Sequence, residues 1–300
     1  MDRQHTIGNE FKVAGKGLHT GSLISARFCP APEDTGVCFR RVDLPGSPTY
    51  RASADLVTST ERGTVLSVGE WRVSTIEHAM SALMAMGVDN CVIEVDGPEM
   101  PIIDGSAIEY VKQIEKAGLT IQSAERRYLK IEAPMMLRSE HSDSWLSLEP
   151  ADRFSAEVIV SFPSSVLGEQ HAFLDDMSSY AEYVACARTF CFVREVEPLL
   201  SRGLIKGGDL QNAIVIYDEE LSQEQFDGLA SQLSQDIRRD AKELGYLTKL
   251  QFENEPARHK LLDLIGDLAL AGMPILGHVK AYKPGHGVNI EMVRKLRIEN

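Results

Sequence analysis

The chain has 300 residues, of which 43% are hydrophobic and 25% charged, a composition that excludes collagen-like, low-complexity and intrinsically disordered classes. The 31 Lys and Arg against 44 Asp and Glu leave a formal charge of −13 at pH 7, the wrong sign for coating nucleic acid or anionic lipid, so a phosphate-bearing ligand must meet a local basic pocket. A chain of this length is expected to divide into two domains.

Residues 1–16 contain no apolar core of signal-peptide type, and no stretch approaches the ~18 consecutive apolar residues of a spanning helix, so a cytoplasmic location is expected. Gly, Pro and Asp break residues 1–70 into short strand-like runs such as 22–28 and 37–42, which read as a sheet. Residues 74–86 are predicted helical, with Ser74 or Thr75 as N-cap and Gly87 as the stop, and a strand follows over 90–95. After the turn residues Gly97, Pro98 and Pro101, the segment 106–117 sets Ile108, Val111 and Ile114 at helical spacing and closes on Gly118.

The polar stretch 122–127 is the linker candidate, because strand patterns resume at 128–131 and 145–148. The expected domains are therefore 1–125 and 126–300. The second half repeats the first in kind, with strands, a helix around 177–187 and a long helix over 255–270, but without a residue-level repeat. Residues 222–244 read as a polar, solvated helix.

Five cysteines, Cys29, Cys38, Cys91, Cys186 and Cys191, form an odd set with no C-x-x-C pair, which argues against a disulfide framework or a thiolate zinc site. A metal would have to be held by His, Asp and Glu. The 255–270 helix carries His259, Asp263 and Asp267 at i, i+4 and i+8, stacked on one face, while Leu261, Leu262, Leu264, Ile265, Leu268 and Leu270 cover most of the rest. Such a helix is buried nearly all round, and an unpaired ionised carboxylate there costs on the order of several kcal/mol or becomes neutral. Taken alone, this helix fits a core element with satisfied carboxylates as well as it fits a metal site.

Glu77-His78, in the first turn of the 74–86 helix, tips the balance. Adjacent helical positions diverge by about 100°, so one side chain can ligate a metal while the other reaches a water on it. Two imidazoles and one carboxylate make the three-ligand, open-position set of a hydrolytic zinc, which ferrous iron also tolerates. In Tyr282-Lys283-Pro284-Gly285-His286-Gly287 a histidine sits between glycines on a turn, and in isolation an exposed turn histidine is the simpler reading.

These segments occur in a known order. Gly15-Lys16-Gly17-Leu18-His19-Thr20-Gly21, Ser74-Thr75-Ile76-Glu77-His78, Pro101-Ile102-Ile103-Asp104-Gly105-Ser106, Ala187-Arg188-Thr189-Phe190, His259-Lys260-Leu261-Leu262-Asp263 with Asp267, and Lys283-Pro284-Gly285-His286 resemble the motifs of the UDP-3-O-acyl-N-acetylglucosamine deacetylases, the zinc amidases of lipid A biosynthesis. The resemblance runs from about residue 3 to about 295. It implies an α+β fold of two similar domains, each a β-sheet packed against two helices, with the active site at the inter-domain cleft.

The resemblance further implies one Zn²⁺ per chain on His78, His259 and Asp263, Glu77 as general base, His286 as a positively charged histidine partnered by Asp267, and Thr189 as a hydroxyl that helps hold the oxyanion. Lys260 and Lys283 match phosphate-contacting lysines, Phe162 is aligned to stack on the uracil, and Gly208 falls among the substrate-binding positions. The inserted element at 199–216, with Ile205, Leu210, Ala213, Ile214 and Val215 beside Phe190, is expected to receive the acyl chain. His19 and Asp104 lie in the motifs but are better read as turn structure. The general acid stays divided between Glu77 and His286.

The partners so implied are UDP-3-O-acyl-N-acetylglucosamine and zinc-chelating hydroxamates, with no nucleic acid and a monomeric chain. A non-enzymatic nucleotide-sugar-binding protein on the same fold would have lost Glu77, His286 or a zinc ligand, and all are present. A zinc amidase acting on another acylated amino sugar or peptide is the remaining enzymatic reading. In some bacteria the family domain is fused to a hydroxyacyl carrier-protein dehydratase; no such domain lies in these 300 residues.

Overall fold

The structure, a computed structural model, describes residues 2–232 and 241–299. The first half contains β1 (Arg3–Ile7), β2 (Phe11–Lys16), β3 (Leu23–Pro30), β4 (Val37–Arg41), β5 (Thr49–Arg51), β6 (Val57–Ser59), β7 (Val65–Val68), β8 (Trp71–Ser74), α1 (Glu77–Ala85), β9 (Cys91–Val95), α2 (Ile108–Ala117) and β10 (Leu119–Glu125). The second half contains β11 (Leu129–Lys130), β12 (Met135–Arg138), β13 (Trp145–Glu149), β14 (Phe154–Ser161), β15 (Glu169–Leu174), α3 (Tyr180–Tyr183), β16 (Phe190–Phe192), α4 (Val193–Ser201), β17 (Ile214–Tyr217), α5 (Gln223–Gln232), β18 (Gly245–Tyr246), α6 (Glu255–Leu268), β19 (Ile275–Tyr282) and α7 (His286–Glu299).

The two main sheets share one topology. The first runs β2-β3-β9-β4-β5 and the second β12-β13-β19-β14-β15, so each sets its last strand in the centre, parallel to its third (β9 on β4, β19 on β14) and antiparallel to its second. In each half a small three-stranded sheet is inserted before the first long helix: β6-β7-β8 before α1 and β16-β17-β18 before α6. A second helix follows the central strand or its loop, α2 in the first half and α7 in the second. This is the expected pair of similar α+β domains.

Period-2 burial in β14 (Phe154, Ala156, Val158, Val160) and β19 turns one sheet face to the helices, where α6 packs on β14 and β15 and α7 on β12 and β13. The halves meet where α1 lies against α6, and one apolar core runs through both, from Ile7 to Leu296. At that crossing α6 carries Gly266, whose place for a Cβ lies 2.8 Å from the carbonyl carbon of Glu77. Among the described residues no helix is long and apolar enough to cross a membrane.

Several expectations need correction. The helix expected over 74–86 begins only at Glu77: Ser74 ends β8, and Thr75 has φ +56° with its hydroxyl committed to Glu99, so neither caps α1. The supposed linker 122–127 is largely strand, because β10 pairs antiparallel with β1 as a polar two-stranded ribbon. The helix expected around 177–187 is a 3₁₀ turn over Met177–Ser179 that runs into one α turn, α3, and stops at Tyr183, where the Tyr180 carbonyl takes both the Val184 and Ala185 amides while the Ala185 carbonyl accepts from the Ala107 amide.

The 255–270 helix ends at Leu268 and passes through a 3₁₀ turn to Gly272 at φ +84°. His286 does not sit on an exposed turn: it is buried and opens α7, a helix the glycines and proline around it conceal. Of the polar helix expected over 222–244, α5 occupies Gln223–Gln232, 233–240 lie outside the described residues, and 241–244 do not continue the helix.

Candidate functional site

The first turn of α1 and the second and third turns of α6 bring His78, His259 and Asp263 together. One donor atom from each lies within 4.8 Å of the others, and all three side chains are buried. The imidazoles are orientated by backbone carbonyls that can only accept: His78 Nδ1 donates to Ser106 O at 3.2 Å and His259 Nδ1 to Ala187 O at 3.1 Å. That fixes both tautomers and leaves each Nε2 lone pair free. His259 Nε2 stands 3.4 Å from Asp263 Oδ1, and Lys260 Nζ donates to Asp263 Oδ2 at 2.8 Å.

The electrostatics suit a cation. Burial, against the opposing pull of Asp263 and aided by His78 and Lys260, pushes the His259 pKa down to about 3, so the ring is neutral and able to donate its lone pair. Burial would raise the Asp263 carboxyl, but Lys260, His259 and His286 around it outweigh that and hold it below the usual carboxylate range. Two imidazoles that each turn an Nε2 inward and one carboxylate are the donor set of a tetrahedral zinc with one open position. The donors present therefore fit a divalent metal.

Glu77 and His286 complete the cluster from two further directions. The Glu77 carboxylate is buried, accepts the Thr64 amide at 3.1 Å, and is raised in pKa by desolvation, against the opposing pull of His286 and His78. His286 Nε2 faces Glu77 Oε1 and Asp263 Oδ2, each at 3.9 Å. Its Nδ1 donates to Asp267 Oδ2 at 2.8 Å. Burial opposes protonation of this ring, but Asp267 and Asp263 prevail and raise its pKa to about 9, so it is cationic at neutral pH.

Asp267 has two partners that sequence reasoning did not find. Thr64 Oγ1 donates to Asp267 Oδ1 at 2.5 Å, and Asn289 Nδ2 donates to Oδ2 at 2.9 Å. Asn289 lies three positions after His286 and shares its face of α7, a signal usable only once that helix is known. Thr64, in the loop between β6 and β7, carried none.

The other expected residues lie around this cluster. The Phe190 ring stands edge-on to His259 at 6.4 Å between centroids and has Lys260 Nζ over it at 5.5 Å. Thr189, Phe190 and Gly208 line a cavity of about 150 Å³ with Leu18, Val196, Leu199, Ile205, Ala213 and Val215. Leu210 and Ile214 do not line it: Ile214 and Val215 point to opposite faces of β17, and Ile214 packs with Leu167, Phe192 and Ile216. Leu210 packs against the cluster formed by Val193, Val196, Val215, Tyr217, Phe226 and Ala241.

Phe162 is half-buried and meets Phe190 edge-on at 5.7 Å. Lys283 is not part of the buried cluster: its ammonium pairs with Asp143 at 2.7 Å, and its backbone has φ +47°. Asp104 is turn structure, its Oδ1 accepting the Ser106 amide and hydroxyl. His19 lines the cavity and its Nδ1 accepts from the Ile205 amide at 3.5 Å, so it joins the two halves rather than closing a local turn.

A family model described as UDP-3-O-acyl N-acetylglycosamine deacetylase matches residues 4–232 and 228–297. The chain is 52% identical to a protein of Porphyromonas gingivalis named bifunctional enzyme LpxC/FabZ, with all of this chain and 65% of that protein covered. It is 50% identical to a protein of the same name from Bacteroides thetaiotaomicron, again over 100% of this chain and 65% of the relative. It is 42% identical to the UDP-3-O-acyl-N-acetylglucosamine deacetylase of an Anaeromyxobacter species, over 98% of this chain and 88% of the relative. The chain thus spans slightly less than two thirds of the length of the first two relatives.

Proposed function

The chain belongs to the UDP-3-O-acyl N-acetylglycosamine deacetylase family, and on that premise we propose that it hydrolyses the N-acetyl amide of UDP-3-O-(3-hydroxyacyl)-N-acetylglucosamine, releasing acetate in lipid A biosynthesis, with one zinc ion on His78, His259 and Asp263. The observation that carries this reading is the convergence of those three donors within 4.8 Å, with Glu77 and His286 facing the same centre. We also divide the chain into domains 1–125 and 126–300, after β10 and before the first strand of the second sheet.

When bound, zinc supplies a Lewis acid that lowers the pKa of a water and polarises the amide carbonyl. Glu77 takes the proton of the attacking water, and the upward shift that burial gives its carboxyl makes it a stronger base near neutral pH. The Thr189 hydroxyl donates to the carbonyl oxygen as that oxygen becomes anionic. His286, held through Nδ1 by Asp267, turns a cationic Nε2 toward the same charge. Glu77 and His286 are both placed to return a proton to the leaving amine.

Lys260 and Lys283 receive the diphosphate, which requires each ammonium to exchange its carboxylate partner, Asp263 and Asp143 respectively. Phe162 stacks on the uracil, and Phe190 and Gly208 border the cavity that takes the acyl chain. The cavity supports this assignment because most of its lining is apolar and includes Phe190, whose ring stands 6.4 Å from that of His259.

The test is acetate release together with metal content. Glu77→Gln is expected to keep its metal and lose roughly 10²- to 10⁴-fold in turnover, the usual contribution of a general base. Asp263→Ala is expected to lose metal by elemental analysis, because one of three ligands is gone. Near-normal turnover of Glu77→Gln, or full metal occupancy of Asp263→Ala, would refute the assignment.

A further inference from the structure

Glu99 is a buried ionisable group that the mechanism does not use. Its side chain is fully buried, and among the described residues its carboxylate forms no ion pair. Four neutral donors meet it instead. Oε1 accepts the His19 amide at 2.8 Å and the Thr75 hydroxyl at 3.1 Å; Oε2 accepts the Thr20 amide at 2.9 Å and the Thr20 hydroxyl at 2.7 Å. A buried carboxylate without a counter-ion persists only where such donors are held in place, so the carboxylate and loop 17–21 specify each other. A Cβ at Gly17 would stand 2.8 Å from Glu99 Cδ, so any side chain there would displace the carboxylate.

The loop so fixed is the surface on which the second half's insert docks. The Gly207 amide donates to Leu18 O at 3.0 Å and the Lys206 amide to His19 O at 3.3 Å. Leu18 and His19 from this side, and Ile205, Lys206 and Gly208 from the other, line the same cavity of about 150 Å³. Thr75, the fourth donor, lies two residues before Glu77. One carboxylate is thus bonded both to the cavity wall and to the lead-in of the helix that carries Glu77 and His78.

We propose that Glu99 is a positioning residue, whose carboxylate holds loop 17–21 in the conformation on which turn 205–208 docks and so sets the bore of the cavity that discriminates acyl chains. The proposal rests on the reading of that cavity as the acyl passage. It predicts a chain-length-dependent defect, since only a substrate that fills the cavity meets the displaced wall.

The experiment uses the intact protein and its Glu99→Gln and Thr20→Val variants, with two substrates: UDP-N-acetylglucosamine bearing a long 3-O-hydroxyacyl chain and the same compound bearing 3-O-acetyl. In Glu99→Gln the KM for the long-chain substrate is expected to rise roughly tenfold, about the worth of one hydrogen bond to a charged group. The KM for the short-chain substrate, its kcat and the metal content are expected to stay within about twofold, a split that simple loss of folded protein cannot produce. Thr20→Val removes one donor without burying an unpaired charge, so it moves the same way by less and carries the test if Glu99→Gln does not fold.

Equal defects on both substrates, or unchanged KM for both, overturn the proposal. Hydrogen exchange on the same proteins gives a readout that needs no turnover. Faster exchange at 17–21 and 205–208 with α6 unchanged is expected in Glu99→Gln, and unchanged exchange at 17–21 overturns the proposal. If the wild type releases acetate from neither substrate, the functional reading fails, while exchange still decides whether Glu99 holds the loop.

Discussion

Gly266→Ala tests the seam between the halves. In an exposed helix interior this change stabilises, because Ala is favoured over Gly by about 1 kcal/mol. Here the added Cβ would stand 2.8 Å from the Glu77 carbonyl carbon and 2.9 Å from its Cα, with the carbonyl oxygen closer still. Carbon atoms in good contact stand ~3.5 Å or more apart, so α6 and α1 would have to separate by roughly 0.7 Å or more. The obstacle is backbone, which cannot swing aside as a side chain can. Overpacking of this kind costs roughly 1–3 kcal/mol, which outweighs the gain in helix propensity.

The displacement falls on the residue next to His78, and misplacement on the order of 1 Å at a reacting centre can cost about 10²-fold in rate. Gly266→Ala is therefore expected to lower the urea midpoint with an unchanged m-value and to reduce acetate release by one to two orders of magnitude, with Gly266→Ser worse on both counts. An alanine variant as stable and as active as wild type would show that the α1–α6 contact is not the rigid seam described here.

Asp267→Asn keeps the shape of the His286 partner but removes the charge that makes this ring cationic; metal content should hold while kcat falls by roughly two orders of magnitude, and an unchanged kcat would remove Asp267 from the mechanism. Arg188→Ala strips the guanidinium from Glu255, whose side chain has no exposed surface; loss of one partner of a buried pair costs roughly 3–5 kcal/mol, measurable by urea unfolding, and a loss below about 1 kcal/mol would mean that the Arg188 and Gln251 amides suffice.

Much of the site was legible because helical periodicity is a local property. The i, i+4, i+8 spacing of His259, Asp263 and Asp267 set them on one face of α6 before any partner was known, and the adjacency of Glu77 and His78 placed both at the start of α1. Elements marked by composition fared less well. The polar residues of 122–127 suggested a linker, although a strand open to water on both faces, as β10 is up to Glu125, needs no apolar alternation to pair with β1. The turn residues before His286 concealed the start of α7. The shared strand order of the two sheets left no residue repeat, since topology survives on pattern without identity.

By itself the sequence determined which side chains share a face, roughly where α1, α2 and α6 lie and which donor types are available, because those follow from the chemistry of neighbours in the chain. Only the tertiary structure decided that His78 meets His259 and Asp263, that Ser106 and Ala187 fix the two tautomers, and that Thr64, Asn289 and Glu99 hold the surrounding groups. The reason is physical. A carbonyl or carboxylate acquires its role from the donor that long-range packing brings to it, and no local pattern encodes the meeting of two helices across a glycine.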